Sequence, residues 1–201
     1  MSKILFINPV VREEDVPRHI PYGIALLASI CINRGHLVQV FDANAWRLGD
    51  EVIPDVVKAD DWDVIAIGGL TTTYGHIKKI VKIIKNLKPE TPLIAGGGFL
   101  TSMPRDIMGW LPEIDYGVIG EAFETFPELV EELSSKVCDV KKIKGIVYRT
   151  ENKIKITQVR PLLQDLDSLP YPAWDLFPLE EVYFKNSSSL FSEEAYISQR
   201  R

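Results

Sequence analysis

Short apolar runs alternate with longer stretches of helical spacing through residue 134. Lys3–Ile7 (KILFI) predicts a buried strand closed by Asn8-Pro9, with a polar loop over Val10–Pro21 behind it. Tyr22–Asn33 is apolar nearly all round and stops at Arg34-Gly35, a helix C-terminal signal. His36–Asp42 predicts the second strand, and Asp50–Ala59 fits a short helix in which Pro54 is the awkward residue. Asp63–Gly68 predicts the third strand. After it Ile77, Ile80, Val81, Ile84 and Leu87 keep helical spacing, while Lys78, Lys79, Lys82 and Lys85 fall on the opposite, solvated side. Pro92–Gly96 is the fourth strand, Met103–Trp110 a short helix, Tyr116–Ile119 the fifth strand, and Phe126–Ser134 a further helix.

Strands alternating with helices at spacings of about 25–35 residues imply βαβ units and a parallel sheet. Right-handed crossovers then put helices on both faces. The expected class is α/β, a flavodoxin-like doubly wound five-stranded parallel sheet over residues 1–139. Beyond Ser135 the pattern changes. Gly145–Arg149 and Lys153–Thr157 alternate around Glu151-Asn152 and predict a β-hairpin. The prolines and aromatics of Pro170-Tyr171-Pro172-Ala173-Trp174 favour an extended path, so residues 140–201 are expected to form a hairpin and an arm leading out of the sheet domain.

Three of the predicted strands end in glycine. Gly68-Gly69-Leu70-Thr71-Thr72-Thr73, Gly96-Gly97-Gly98-Phe99 and Gly120-Glu121 each follow an apolar run. Parallel sheets bind ligands outside the carboxyl ends of their strands, and glycine lets backbone N–H groups approach a ligand that a Cβ would block. The Thr71–Thr73 hydroxyls suit a polar ligand edge, and equally suit a helix N-cap. Gly96–Gly98 could be a tight strand-to-helix turn. Glu121 could be a first-turn acid facing a helix dipole.

Charge and cysteine content narrow the classes. A net charge of −5 and an acidic pI near 5.3 argue against a general nucleic-acid grip. Cys31 and Cys138 lie in neither a CxxC nor a CxxxCxxC spacing, so no zinc or iron–sulfur site is expected from this chain alone. No segment approaches the roughly 18 apolar residues that span a bilayer. Met1-Ser2-Lys3 runs straight into a strand without a signal peptide, which makes the cytoplasm the expected compartment.

Phosphate-loop readings find no support: there is no GxxxxGK[ST], and no GxGxxG follows the first strand. A phosphoryl-accepting receiver would need acidic residues where Asn8 and Gly68-Gly69 stand. His19, in the loop after the first strand, is the one histidine placed at the rim as a candidate metal ligand. His76 is expected in an exposed first helical turn, and His36 at a strand start. No Ser/His/Asp or Cys/His set is evident.

The ordered set Pro21-Tyr22-Gly23-Ile24-Ala25-Leu26-Leu27-Ala28, Arg34-Gly35-His36-Leu37-Val38, Gly68-Gly69-Leu70-Thr71, Ala95-Gly96-Gly97-Gly98 and Ile119-Gly120-Glu121-Ala122-Phe123-Glu124-Thr125 resembles the amino-terminal cobalamin-binding domain of cobalamin-dependent radical S-adenosylmethionine enzymes. That class includes the anaerobic magnesium-protoporphyrin ester cyclase. Leu166-Asp167-Ser168-Leu169-Pro170-Tyr171-Pro172-Ala173-Trp174-Asp175 is similar to the connector that precedes the radical domain there. The resemblance implies a cobalamin whose nucleotide tail enters between the third and fourth strands. Gly69–Thr73 (Gly69, Leu70, Thr71, Thr72, Thr73) and Gly96–Phe99 (Gly96, Gly97, Gly98, Phe99) would line the tail, Gly120 and Glu121 would lie near it, and the loop up to Tyr22 and Gly23 would lie beneath the corrin.

Two departures shape the expectation. Asp15-Val16-Pro17-Arg18-His19 lacks the DxHxxG spacing of methionine synthase-type domains, so the resemblance implies cobalamin held without a histidine lower ligand. The family's CxxxCxxC, which holds a 4Fe–4S cluster and leaves an iron open to S-adenosylmethionine, does not occur in these 201 residues. The cluster and S-adenosylmethionine therefore belong to a radical domain absent here, acting in cis or in trans, and this chain alone is expected not to start radical chemistry. The competing readings are a flavodoxin-like flavin- or nucleotide-binding protein, and a non-catalytic module whose apolar Tyr22–Asn33 helix and aromatic arm meet a partner.

Overall fold

The computed structural model describes residues 1–187 apart from 13, 15, 18, 19 and 152. His19, Asp15, Arg18, Asn152 and the last residues of the arm thus lie outside the described residues. The predicted strands are β1 (Lys3–Asn8), β2 (Leu37–Asp42), β3 (Val64–Gly68), β4 (Leu93–Gly96) and β5 (Tyr116–Val118), all parallel. They pair in the order β2-β1-β3-β4-β5, so the chain reverses direction across the sheet between β1 and β3. Strands β1, β3 and β4 are nearly continuous apolar runs because helices cover both of their faces.

The α/β class is as expected, but the sheet has seven strands rather than five. The predicted hairpin, β6 (Ile146–Thr150) and β7 (Lys153–Ile156), pairs antiparallel with β5 and continues the sheet. It is not part of an arm leaving the sheet. An unpaired β5 edge would expose a row of backbone donors and acceptors, and β6 covers that edge. Gly117 makes the close approach possible: a Cβ there would stand 2.6 Å from Val147 Cγ1 and 2.7 Å from Leu100 Cδ2.

Alternation along the strands sorts side chains to two faces. Ile4, Phe6, Val64, Ala66, Ile94 and Val118 face α1 (Tyr22–Asn33). Helix α7 (Thr125–Leu133) packs on the same face. Leu5, Ile7, Ile65, Ile67, Leu93 and Ala95 face the other layer. That layer holds α3 (Ile53–Lys58), α4 (Tyr74–Leu87) and α6 (Pro104–Trp110). Pro54 sits in the first turn of α3, where its missing N–H costs nothing. The short helices α2 (Ala43–Trp46) and α5 (Gly98–Ser102) go unpredicted, because neither is long enough to show a period.

Two expectations change in detail. Lys85 is not on the solvated face of α4; it is 16% exposed and bonds Asp115 Oδ2 at 2.6 Å and the carbonyls of Pro89 and Thr91. The outer side of α1 meets the chain's own arm: Ala173 N donates to Ala25 O at 3.0 Å and the Trp174 ring leans on Tyr22 at 5.9 Å. That contact covers part of the apolar surface of α1.

His36 is buried beside the start of β2, and its Nδ1 accepts a hydrogen bond from Ser2 N at 3.2 Å. Its Nε2 therefore carries the proton, buried and without a partner among the described residues. Desolvation lowers its pKa below the usual 6.5, with the N-terminal ammonium and Arg34 pushing the same way and Glu131 opposing. The unfolded chain takes up this proton more readily than the folded one, so stability is complete above pH 6.5 and declines as the pH falls below it. Urea midpoints at about pH 7.5 and about pH 5.5 should differ by less in His36→Asn, whose Oδ1 accepts the Ser2 bond without titrating.

Candidate functional site

The carboxyl ends of the central strands are brought together by register. Gly68 stands opposite Gly96, and the chains leaving them touch at Gly69 and Gly97. Gly97 has φ 88° and ψ −174°, a conformation almost closed to other residues. A Cβ on it would lie 2.7 Å from Gly69 O and 2.9 Å from Gly69 N. Phe99 N donates to the same Gly69 carbonyl at 3.2 Å, which knits the two loops. Gly96 differs: the nearest atom to an added Cβ is Val118 O at 3.9 Å, so its missing side chain leaves open space.

That space belongs to a cavity of about 910 Å³. Its floor is the α1/α7 face of the sheet (Phe6, Ala66, Ile94 and Val118), with Leu27 and Phe126 closing the sides. The strand-end glycines form one wall. Val11, Val16, Pro17 and Ile20, between β1 and α1, form another. The cavity is thus apolar at depth, with glycine backbone along one rim and the polar residues Asn8, Asn44, Arg47 and Glu121 also in its lining.

Of the residues singled out in sequence, Gly23, Gly69, Leu70, Thr73, Gly96, Gly97, Gly98, Gly120 and Glu121 line this cavity. Tyr22, Thr71, Thr72 and Phe99 do not. Tyr22 leans on Trp174, and Phe99 is buried on the opposite side of the sheet with the α4/α6 core. Thr71 and Thr72 are exposed in the 3₁₀ turn that leads into α4. Thr73 is fully buried; its Oγ1 donates to Leu70 O at 2.8 Å and accepts from Leu70 N at 3.1 Å, so its hydroxyl is spent within the loop. Gly120 has φ 76° and donates its N–H to Thr101 Oγ1 at 3.1 Å. Glu121 Oε2 accepts from Leu163 N at 2.9 Å, tying the β5 end to the arm.

A polar corner at the ends of β1 and β2 escapes sequence reasoning. Asn8 stands opposite Asp42 and donates Nδ2 to its Oδ1 at 2.7 Å. Asn44 Oδ1 accepts from Val11 N at 3.0 Å and from Arg47 Nη1 at 3.4 Å. Tyr183 from the arm donates its hydroxyl to Asp42 Oδ2 at 2.5 Å, and burial followed by the Asp42 carboxylate raises its pKa well above the usual phenol value. The available signal was two polar residues, Asn8 and Asp42, ending adjacent parallel strands. Among the described residues no three His, Cys, Asp or Glu side chains gather as metal ligands. His76 is partly buried, with Nδ1 3.9 Å from Asp50 Oδ1.

A doubly wound sheet with an apolar cavity at its glycine-lined carboxyl edge defines a cofactor-binding α/β domain. The profile of the B12 binding domain matches residues 9–130, and the chain belongs to that family. It is similar to an uncharacterized methyltransferase of Pyrococcus horikoshii, 34% identical over 186 residues, 90% of this chain and 40% of the relative. It is also similar to the anaerobic magnesium-protoporphyrin IX monomethyl ester cyclase of Synechocystis sp., 28% identical over 188 residues, 89% of this chain and 37% of the relative. The chain therefore spans about two-fifths of the length of these relatives. Among solved structures, the fold matches the radical S-adenosylmethionine methyltransferase TsrM of Kitasatospora setae with cobalamin and a 4Fe–4S cluster bound. The TM-score is 0.70 at 21% identity, over 86% of this chain and 31% of that one. OxsB with aqua-cobalamin and S-adenosylmethionine bound matches at a TM-score of 0.71 and 15% identity, over 88% of this chain and 24% of that one. No helix among the described residues is long and apolar enough to cross a membrane.

Proposed function

We propose that this B12-binding domain sinks the nucleotide tail of cobalamin into the cavity between the β3 and β4 ends and presents the corrin to a radical S-adenosylmethionine domain, in cis or in trans. The observation that carries this reading is the cavity itself, apolar at depth and open where Gly96 has no side chain. Such a slot suits the flat base of the tail, and the backbone amides around Gly69, Gly97 and Gly98 suit its ribose and phosphate oxygens. Gly120 and Glu121 flank the same tail from the β5 side. The Thr71 and Thr72 hydroxyls, exposed outside the cavity, together with Gly23 and with Tyr22 beside Trp174, would meet the corrin amides.

When bound, cobalamin supplies a cobalt centre able to take and give a methyl group or a single electron. This chain's residues hold it, orient it and keep water from its tail. Methyl transfer and radical cyclisation or rearrangement both suit the parent enzyme, whose 4Fe–4S cluster and S-adenosylmethionine would sit on the radical domain. Residues 158–187, beyond β7, would belong to the arm that leads toward that domain, and the cytoplasm is the proposed compartment.

Titration with hydroxocobalamin tests the cofactor reading. Saturable binding, with a shifted corrin absorption band and co-elution in gel filtration, is the expected result. A protein that stays folded by circular dichroism yet gives neither signal at saturating hydroxocobalamin would overturn it.

A further inference from the structure

We propose that Tyr183 is a positioning residue for the cofactor cavity, a latch by which the arm holds Val11 and Ile20 of the cavity lining in place; the cofactor part of this proposal rests on the cobalamin reading above. None of the described residues from 159 to 187 lines the cavity, so whatever the arm does there it does through other residues. The route is continuous. Tyr183 is 2% exposed, and its hydroxyl reaches Asp42 Oδ2 at 2.5 Å across 141 residues of sequence. Asp42 leads through the first turn of α2 to Asn44.

From there the network enters the cavity wall at two points. Asp42 Oδ1 accepts from Asn8 Nδ2 at 2.7 Å and from Ala45 N at 3.0 Å, which fixes the end of β1 and the first turn of α2. Asn44 Oδ1 accepts the amide of Val11 at 3.0 Å. Asn8, Val11 and Asn44 all line the cavity. A separate apolar contact acts on the far end of the loop: Val182 and Tyr183 pack with Ala45, Leu179 and Ile20, and Ile20 also lines the cavity. The segment Leu179–Tyr183 thus reaches the cavity lining at two places, by a path through Asp42 and Asn44 to Val11 and by packing on Ile20. A hydrogen bond from a buried phenol to a carboxylate is among the stronger neutral-to-charged bonds, and removing it leaves Asp42 short of a donor in a buried site.

Hydrogen exchange and cofactor binding read the latch separately. In Tyr183→Phe, which keeps the ring and its packing, the Val11 amide of the cofactor-free protein should exchange about tenfold faster, and the hydroxocobalamin Kd should rise about tenfold. Asn44→Ala removes the acceptor of Val11, so adding Tyr183→Phe to it should change Val11 exchange no further. Phe177→Leu, elsewhere in the arm, controls for general loss of stability and should leave Val11 exchange and Kd where they were. Unchanged Val11 exchange in Tyr183→Phe, or an equal effect of Phe177→Leu, overturns the proposal. Should the wild-type chain bind no hydroxocobalamin, the cofactor reading fails while Val11 exchange still decides the latch.

Discussion

Gly97→Ala is expected to destabilise the domain by at least about 2 kcal/mol and to abolish measurable cobalamin binding. The backbone at φ 88° and ψ −174° lies in a region that is essentially glycine-only. Strain alone is not the whole effect. The new Cβ would meet Gly69 O at 2.7 Å and Gly69 N at 2.9 Å, and these are backbone atoms that cannot rotate away. Displacing Gly69 breaks the bond from Phe99 N to its carbonyl and parts the two loops that frame the cavity. Gly98→Ala is the control, because its Cβ would meet Leu70 Cδ2 at 3.5 Å and Gly69 O at 3.9 Å, both ordinary contacts, at the start of α5 where alanine is welcome. Urea unfolding of the two variants against wild type decides the matter. Equal midpoints for Gly97→Ala and Gly98→Ala would show that the loop contact is not as tight as the geometry requires.

How much of this was legible follows from what each signal depends on. The strand-end glycines were legible because a parallel sheet puts all its carboxyl ends on one edge, so local sequence sufficed to gather Gly69, Gly96 and Gly120 there. The threonine run was ambiguous for a physical reason. A hydroxyl just before a helix serves a cap or a ligand equally well, and only the geometry shows Thr73 spent on Leu70. Phe99 was misplaced because the turn at Gly97–Gly98 rotates it to the other face of the sheet, which no periodicity reveals across so short a helix. The hairpin's alternation was visible, but its place at the β5 edge depended on Gly117 admitting Val147. The polar corner was furthest from reach, since Tyr183 and Asp42 are 141 residues apart and neither belongs to a motif.

The same geometry separates holding the fold from holding the tail. Gly96→Leu should cost the hydroxocobalamin affinity about a hundredfold while leaving the fold intact. Gly96 is not among the glycines with positive φ, and an added Cβ has nothing nearer than Val118 O at 3.9 Å. A larger residue at this strand end is therefore unstrained, and replacing glycine offsets part of any cost by reducing unfolded-chain entropy. Its side chain has somewhere to go, but that place is the cavity, on the same face of the sheet as Ile94. Leucine there would occupy the slot assigned to the flat base. Cobinamide, a corrinoid without the nucleotide tail, sharpens the comparison: whatever its affinity for the wild type, Gly96→Leu should not change it. Loss of cobalamin and cobinamide binding together would place the defect at the corrin rather than the tail, and undiminished cobalamin binding would show that the tail does not enter between β3 and β4.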